Sequence, residues 1–126
     1  MPKILIVDDS PTDAHMLSTT LEDHGYEVEI ATTAPDGLER ARLLKPDAIL
    51  MDVVFQGMSG FQCTRKLARD PETAHIPIII ISGKNQESDR VWGLRQGAAE
   101  YLTNPVKPKT LIQALDGLIG DHASAG

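Results

Sequence analysis

Two patterns of apolar residues alternate along the chain. Short continuous apolar runs, rich in isoleucine and valine, occupy Ile4–Val7, Ala48–Met51 and Ile76–Ile81. Runs of this length and composition predict strands that are covered on both faces. Weaker strand candidates lie at 26–31, where polar and apolar residues alternate, and at 99–103. The pattern therefore predicts five strands.

Helical spacing fills the stretches between the predicted strands, since apolar residues three or four positions apart share one face of a helix. The first helix is predicted to start with Ser10 as its cap and Pro11 in its first turn, and to end at Gly25. The apolar positions of the five predicted helices are, in chain order, Ala14, Leu17 and Leu21; Ala34, Leu38 and Ala41; Phe61, Thr64 and Leu67; Val91 and Leu94; and Leu111, Ala114, Leu115 and Leu118. Strand followed by helix, five times over, predicts a parallel sheet with helices on both faces and right-handed crossovers.

The length and composition suit one domain, predicted over 1–120, with a flexible C-terminal tail at 121–126. The single cysteine, Cys63, excludes an internal disulfide bond and favours a reducing, cytoplasmic location. Twelve basic and 18 acidic residues give a net charge of −6, which argues against a domain whose main task is to bind nucleic acid. No apolar run is long enough to cross a bilayer, so we expect no membrane insertion.

Polar residues follow the predicted strands at the ends where a doubly wound sheet binds its ligands. These residues are Asp8 and Asp9 after the first strand, Asp52 after the third, Ser82 after the fourth, and Thr103, Asn104 and Pro105 after the fifth. If the first and third strands are neighbours, three carboxylates converge. Clustered carboxylates either take up protons or bind a cation, and hard oxygen ligands at an open rim favour Mg²⁺.

A metal beside Asp52 suits phosphoryl chemistry, because it neutralises the incoming group while a carboxylate attacks in line. Ser82 would then hydrogen-bond a phosphoryl oxygen across the pocket. The plainer alternatives are that Asp9 only caps a helix and that Asp52 only opens a loop, since aspartates are common at such positions.

Several spaced motifs resemble the receiver domain of bacterial two-component response regulators. They read "ILIVDDSPT", "DAILMDVVFQGMSGFQ", "IPIIIISGK" and "GAAEYLTNPVKPKTL", and the resemblance spans roughly residues 3 to 119. The segments "DDSPTDAHML", "FQCTRKLARDPET" and "VWGLRQGAAEYLT" resemble in particular the stand-alone receivers of pilus-driven twitching-motility systems. The resemblance implies an α/β, flavodoxin-like, doubly wound fold of five βα units, with a parallel sheet in the strand order 2-1-3-4-5.

The resemblance also implies a chemistry for the acidic residues. A partner histidine kinase would transfer a phosphoryl group to Asp52 in a reaction that depends on Mg²⁺. By position, Asp9, Asp52 and the backbone carbonyl of Val54 would bind the metal, and Asp8 would act mainly through metal-bound water. The chain would be a phosphoacceptor, with self-catalysed phosphotransfer and slow autodephosphorylation at most, rather than an enzyme.

Two further positions match the switch of the family. Ser82 falls on the hydroxyl that swings toward the phosphoryl group, and Tyr101 falls on the aromatic residue whose rotation reports phosphorylation. The output surface would lie around the fourth helix, fifth strand and fifth helix, and would contact a downstream protein, with the chain itself a monomer or weak dimer. The plainer interpretation of Tyr101 is a half-buried strand tyrosine.

The sequence departs from the family at two positions. Receivers typically carry a lysine where this chain has Asn104, and Asn104 offers only a neutral amide in place of a charge-assisted hydrogen bond. Lys107, three residues further on, and Lys84, which follows the fourth predicted strand, are candidates for partial compensation, but spacing alone does not place their ammonium groups in the pocket. The second departure is Gln56, which replaces a usual proline and is expected to loosen its loop.

Two hypotheses follow from these features. The chain is either a working phospho-receiver or a degenerate receiver that docks to proteins without phosphorylation. Asp8, Asp9, Asp52 and Ser82 favour the first, and Asn104 favours the second. A phosphatase or transferase with an aspartyl nucleophile is disfavoured, because Val54 stands where such enzymes place a second aspartate as the acid/base group.

Overall fold

The computed structural model describes residues 1–53 and 58–120, and within them strand and helix alternate as predicted. The strands are β1 (Lys3–Val7), β2 (Glu27–Ala31), β3 (Ala48–Asp52), β4 (Ile78–Ser82) and β5 (Glu100–Thr103). The helices are α1 (Pro11–Asp23), α2 (Ala34–Leu44), α3 (Gly60–Arg69), α4 (Glu87–Arg95) and α5 (Pro108–Ile119). The proposed tail at 121–126, together with Val54 and Gln56, lies outside the described residues.

The five strands form one parallel sheet in the order β2-β1-β3-β4-β5. This order confirms the predicted doubly wound fold and makes β1 and β3 neighbours. Successive residues of a strand point to opposite faces of the sheet. Accordingly, Leu5 and Val7 of β1 belong to one buried apolar cluster, and Ile4 and Ile6 belong to the other.

The fourth strand is shorter than its apolar run. The run predicts a strand from Ile76, but β4 begins at Ile78. Pro77 has no N–H to donate to a strand ladder, and its carbonyl oxygen only accepts a bond from the N–H of Ile49, at 3.0 Å. Ile76 is still buried, so its apolar character reflects packing in the core outside the ladder.

Two of the predicted apolar helix positions face solvent instead of the core. Val91 of α4 is 36% exposed, and Leu118 near the end of α5 is 37% exposed. On α4 the buried residue is Gly93, where an added Cβ would lie 2.9 Å from Cδ2 of Tyr101. The helix thus lies so close to β5 that a glycine faces the sheet, and a residue two positions away, such as Val91, points to the opposite side.

The start of α1 matches its predicted cap. The Ser10 hydroxyl oxygen accepts a hydrogen bond from the N–H of Asp13 at 3.3 Å, and Pro11 occupies the first turn. Cys63 is fully buried in the core, as its small apolar character predicts, and burial raises the pKa of its thiol to about 11. Within the described ranges, no helix combines the length and apolar character that a membrane span requires.

Candidate functional site

Three aspartates meet at the carboxyl-terminal edge of the sheet. Val7 of β1 lies opposite Met51 of β3, so the residues that follow them, Asp8 and Asp52, lie side by side at this edge. One carboxylate oxygen from each of Asp8, Asp9 and Asp52 lies within 4.8 Å of the other two. Parallel pairing of β1 and β3 therefore produces the acidic cluster that the sequence predicts.

Asp8 is the buried member of this cluster. The residue is only 5% exposed, and Oδ1 accepts a hydrogen bond from the N–H of Ser10 at 2.8 Å. Burial is the largest cause of a rise in the pKa of Asp8 to about 6, opposed by the Ser10 hydrogen bond and reinforced by the nearby charge of Asp52. The cluster therefore holds more negative charge than its own hydrogen bonds compensate.

Asp52 ends β3 and is partly buried, whereas Asp9 is exposed. Oδ1 of Asp52 accepts a hydrogen bond from the N–H of Val53 at 2.8 Å. This bond restrains the orientation of the carboxylate, because the donor belongs to the next residue of the same chain segment.

A cleft of about 430 Å³ opens beside the cluster, between the sheet edge and helices α1 and α5. Its polar lining includes Asp8, Asp13, Asp52 and Asn104. Its apolar walls include Met16, Leu17, Val106 and Leu111. The cleft thus combines acidic side chains with apolar walls, which suits a charged group carried on an apolar partner.

Asn104 reaches the same cleft as Asp52. Its side chain is exposed, its backbone N–H donates to the carbonyl oxygen of Ser82 at 2.8 Å, and its peptide bond to Pro105 is cis. Among the described residues, Lys84 and Lys107 do not line this cleft. The amide of Asn104 therefore has no neighbouring lysine that lines the cleft with it.

Ser82 and Tyr101 are joined through the backbone of Lys84. The Ser82 hydroxyl oxygen, which is buried, accepts a hydrogen bond from the N–H of Lys84 at 3.0 Å. The Tyr101 hydroxyl donates to the carbonyl oxygen of Lys84 at 2.8 Å. The residue is 6% exposed, and its ring lies against Gly93. One residue thus connects the two switch positions that the resemblance names.

Sequence reasoning missed two contributors to the site. The sequence draws notice to Lys84 only for its ammonium group, whereas its backbone N–H and carbonyl connect Ser82 with Tyr101. A role of the backbone does not depend on residue type, so the sequence could not indicate it. Asp13 lines the cleft, and its charge contributes to the raised pKa of Asp8. An acidic residue in the first turn of the helix that follows Asp8 was the available signal for Asp13.

Comparisons with known proteins identify relatives of this chain. A model of the response regulator receiver domain matches residues 4–116. Protein PilH of Pseudomonas aeruginosa is 50% identical over 119 residues, which cover 94% of this chain and 98% of that protein.

Solved structures with the same fold include two informative relatives. The chemotaxis protein CheY4 of Vibrio cholerae superposes with a TM-score of 0.87 at 32% identity, covering 94% of this chain and 98% of that one. The receiver domain of a sensor histidine kinase from Pseudomonas aeruginosa gives a TM-score of 0.87 at 28% identity, covering 95% and 98%. That second structure has a magnesium ion coordinated in its active-site cleft.

Proposed function

Because the chain belongs to the family of response regulator receiver domains, we propose that it accepts a phosphoryl group on Asp52 and signals through protein contacts. The observation that carries this proposal is the convergence of Asp8, Asp9 and Asp52, whose carboxylate oxygens lie within 4.8 Å of one another. Asp8 and Asp52 of this cluster line the cleft, so a phosphoryl donor has a route to the acceptor oxygen.

The donor set of the cluster fits a hard divalent cation, and we propose Mg²⁺. Three carboxylates supply oxygen ligands, and the raised pKa of Asp8 marks negative charge that a cation would compensate. Asp9 and Asp52 would hold the ion with the carbonyl of Val54, which lies outside the described residues, and Asp8 would act mainly through water. When bound, the cation would neutralise charge on the incoming phosphoryl group.

The residues of this chain divide the transfer step among them. A carboxylate oxygen of Asp52 forms a bond to phosphorus while the bond from phosphorus to the imidazole nitrogen of a histidine kinase breaks. The hydrogen bond from the N–H of Val53 to Oδ1 keeps the Asp52 carboxylate oriented toward the cleft. The apolar walls formed by Met16, Leu17 and Val106 would contact apolar side chains of the donor protein around its phosphohistidine.

The backbone of Lys84 would carry the signal away from the site. Ser82 accepts from the N–H of Lys84, so a hydroxyl that turns toward a new phosphoryl oxygen would pull on this peptide group. The carbonyl of Lys84 holds the Tyr101 hydroxyl, and moving it would release the ring from its inward position. Tyr101 lies in β5 against Gly93 of α4, so its release would alter the proposed output face formed by α4, β5 and α5.

The process and partners are proposed from the resemblance and from the 50% identity with Protein PilH. We propose a histidine kinase as the donor and a downstream protein of a twitching-motility pathway as the target. The monomeric or weakly dimeric state and the cytoplasmic location stay predictions.

A second candidate function is a degenerate receiver that docks without phosphorylation. It is favoured by Asn104, which places a neutral amide at the cleft where the family carries a lysine, and no described lysine lines the cleft beside it. A neutral hydrogen bond to a phosphoryl oxygen is roughly half as strong as a charge-assisted one. This candidate predicts the same fold and the same acidic cluster without a stable phosphorylated form.

Mass spectrometry after incubation with Mg²⁺ and acetyl phosphate separates the two candidates. We expect one phosphoryl adduct on the native chain and none on the Asp52→Asn variant, because the amide nitrogen of asparagine is a poor nucleophile. Asp23→Asn is the matched control, since Asp23 is exposed at the far end of α1, and it should form the adduct normally. An adduct that persists without Asp52, or none on the native chain, would leave the docking module as the function.

Introducing lysine at position 104 should strengthen binding of a phosphoryl mimic. A cation at this edge of the cleft adds a charge-assisted hydrogen bond, so Asn104→Lys is expected to raise the affinity for beryllofluoride with Mg²⁺ about tenfold. Calorimetry measures the change, and Asn104→Gln, which lengthens the side chain without charge, is the control. Equal affinities in the lysine and glutamine variants would show that the missing charge at position 104 does not limit phosphoryl binding.

A further inference from the structure

A second concave surface lies between α2 and α3, and none of Asp8, Asp9 and Asp52 lines it. It has a volume of about 660 Å³, with four cations around an apolar floor. The cations are Arg42, Arg65, Lys66 and Arg69, and the floor includes Leu38 and Met58.

The positive charge at this hollow contrasts with the negative net charge of the whole chain. Four of the 12 basic residues line this one hollow, in a chain of net charge −6. Asp70 is the one acidic residue that lines it, and Asp70 is already paired with Arg42 at 2.7 Å. Arg65, Lys66 and Arg69 have no ion-pair partner within the part of the chain that the structure describes.

Helix electrostatics explain only part of this arrangement. Lys66 and Arg69 lie in the last turn of α3, where cations are stabilised by the helix dipole. Arg65 lies outside that turn and stands four residues before Arg69, a spacing at which like charges destabilise a helix by about 0.2–0.5 kcal/mol. The dipole also gives no reason for cations on α2 and α3 to face one hollow with an apolar floor.

The basic hollow continues into a third one on the other side of α3. Gln62 and Arg65 line both hollows. Phe61 and Trp92 of α4 also line the third hollow, which has a volume of about 510 Å³. Trp92, the one tryptophan of the chain, is 50% exposed. Arginine and exposed tryptophan dominate the binding energy of many protein interfaces. The two hollows together form what we call the α2–α3–α4 surface.

We propose that the α2–α3–α4 surface is a docking site for an acidic protein segment that carries an apolar anchor residue. Carboxylates of the segment would pair with Arg65, Lys66 and Arg69, because these cations lack partners of their own and are complementary in charge. An apolar side chain of the segment would bury against Phe61 and Trp92, or against the floor of the basic hollow. The site does not involve Asp52, so this inference stands apart from the proposed phosphoryl transfer.

A designed peptide with glutamate and leucine on one helical face is the probe for this site. We expect it to bind with a dissociation constant on the order of 10–100 µM at low salt, and to change the fluorescence of Trp92 on binding. The double variant Arg65→Glu/Arg69→Glu should weaken binding about tenfold, since two exposed charge pairs become repulsive. Lys107→Glu/Lys109→Glu changes the net charge equally at the start of α5 and should leave the affinity unchanged.

Two companion measurements keep the test decisive. Arg65→Gln/Arg69→Gln, checked for native circular dichroism, removes the charges without reversing them and should weaken binding by a smaller factor. A scrambled peptide of the same composition should bind at least several-fold more weakly, because its leucines no longer share a face. If the α5 control variant weakened binding equally, or if the scrambled peptide bound equally well, the binding would be due to non-specific charge attraction and the proposal would be overturned.

Discussion

Replacing Gly60 with alanine is expected to lower the free energy of unfolding by about 3 kcal/mol. Gly60 begins α3, and its N–H donates to the carbonyl oxygen of Val53 at 2.9 Å. An added Cβ would overlap the carbonyl oxygen of Asp52 and would lie 2.7 Å from Cα of Val53. Both atoms belong to the backbone at the end of β3, so neither can turn away as the tip of a flexible side chain could.

The same substitution should slow phosphorylation, because the only relief is a shift of α3 or of the strand end that carries Asp52. Gly117→Ala is the matched control. An added Cβ at Gly117 meets nothing within 4 Å, so alanine should raise stability by about 0.5–1 kcal/mol through its better helix propensity. Urea unfolding measures both variants. If Gly60→Ala were as stable as Gly117→Ala, α3 would not approach β3 as closely as the structure has it.

These close approaches mark the limit of what the sequence could predict. Continuous apolar runs and helical spacing gave the order of the elements, because burial on both faces leaves a direct imprint on residue type. Gly60 and Gly93 look like ordinary residues of a loop or helix until the neighbouring backbone and Tyr101 are placed beside them. Val91 was wrongly predicted to lie on a buried face, because α4 packs on the sheet through Gly93 and the apolar spacing does not show this.

The candidate site divides in the same way. Asp8, Asp9 and Asp52 could be predicted to converge, because the strand order of a doubly wound sheet brings the ends of β1 and β3 together. The unequal exposure of Asp8 and Asp9 could not be predicted, because the path of the loop decides which way each residue beyond the strand points. Here the N–H of Ser10 holds Asp8 inward and Asp9 faces solvent, which makes Asp8 the charge that is costly to bury.

That burial leads to a second large effect, on the dependence of stability on pH in the absence of Mg²⁺. The pKa of Asp8 rises from an ordinary value of 3.8 to about 6 in the folded chain. Between these values the unfolded chain has lost the proton that the folded chain keeps, so the free energy of unfolding falls as pH rises. Well above pH 6 the folded chain carries the buried charge in full, and the loss reaches about 3 kcal/mol.

Asp8→Asn should remove this dependence, because its side-chain oxygen can still accept from the N–H of Ser10 while carrying no charge. In urea unfolding with a chelator, we expect the variant to match the native chain below pH 4 and to be more stable by about 3 kcal/mol well above pH 6. Asp9→Asn, the exposed neighbour, should differ from the native chain by less than about 0.5 kcal/mol. Saturating Mg²⁺ should reduce the difference in stability between the native chain and Asp8→Asn, because a bound cation offsets the negative charge of Asp8 in the native chain. Parallel stability curves for the native chain and Asp8→Asn across this pH range would mean that the Asp8 charge is not buried at a cost, and the electrostatic argument for a cation at this cluster would lose its basis.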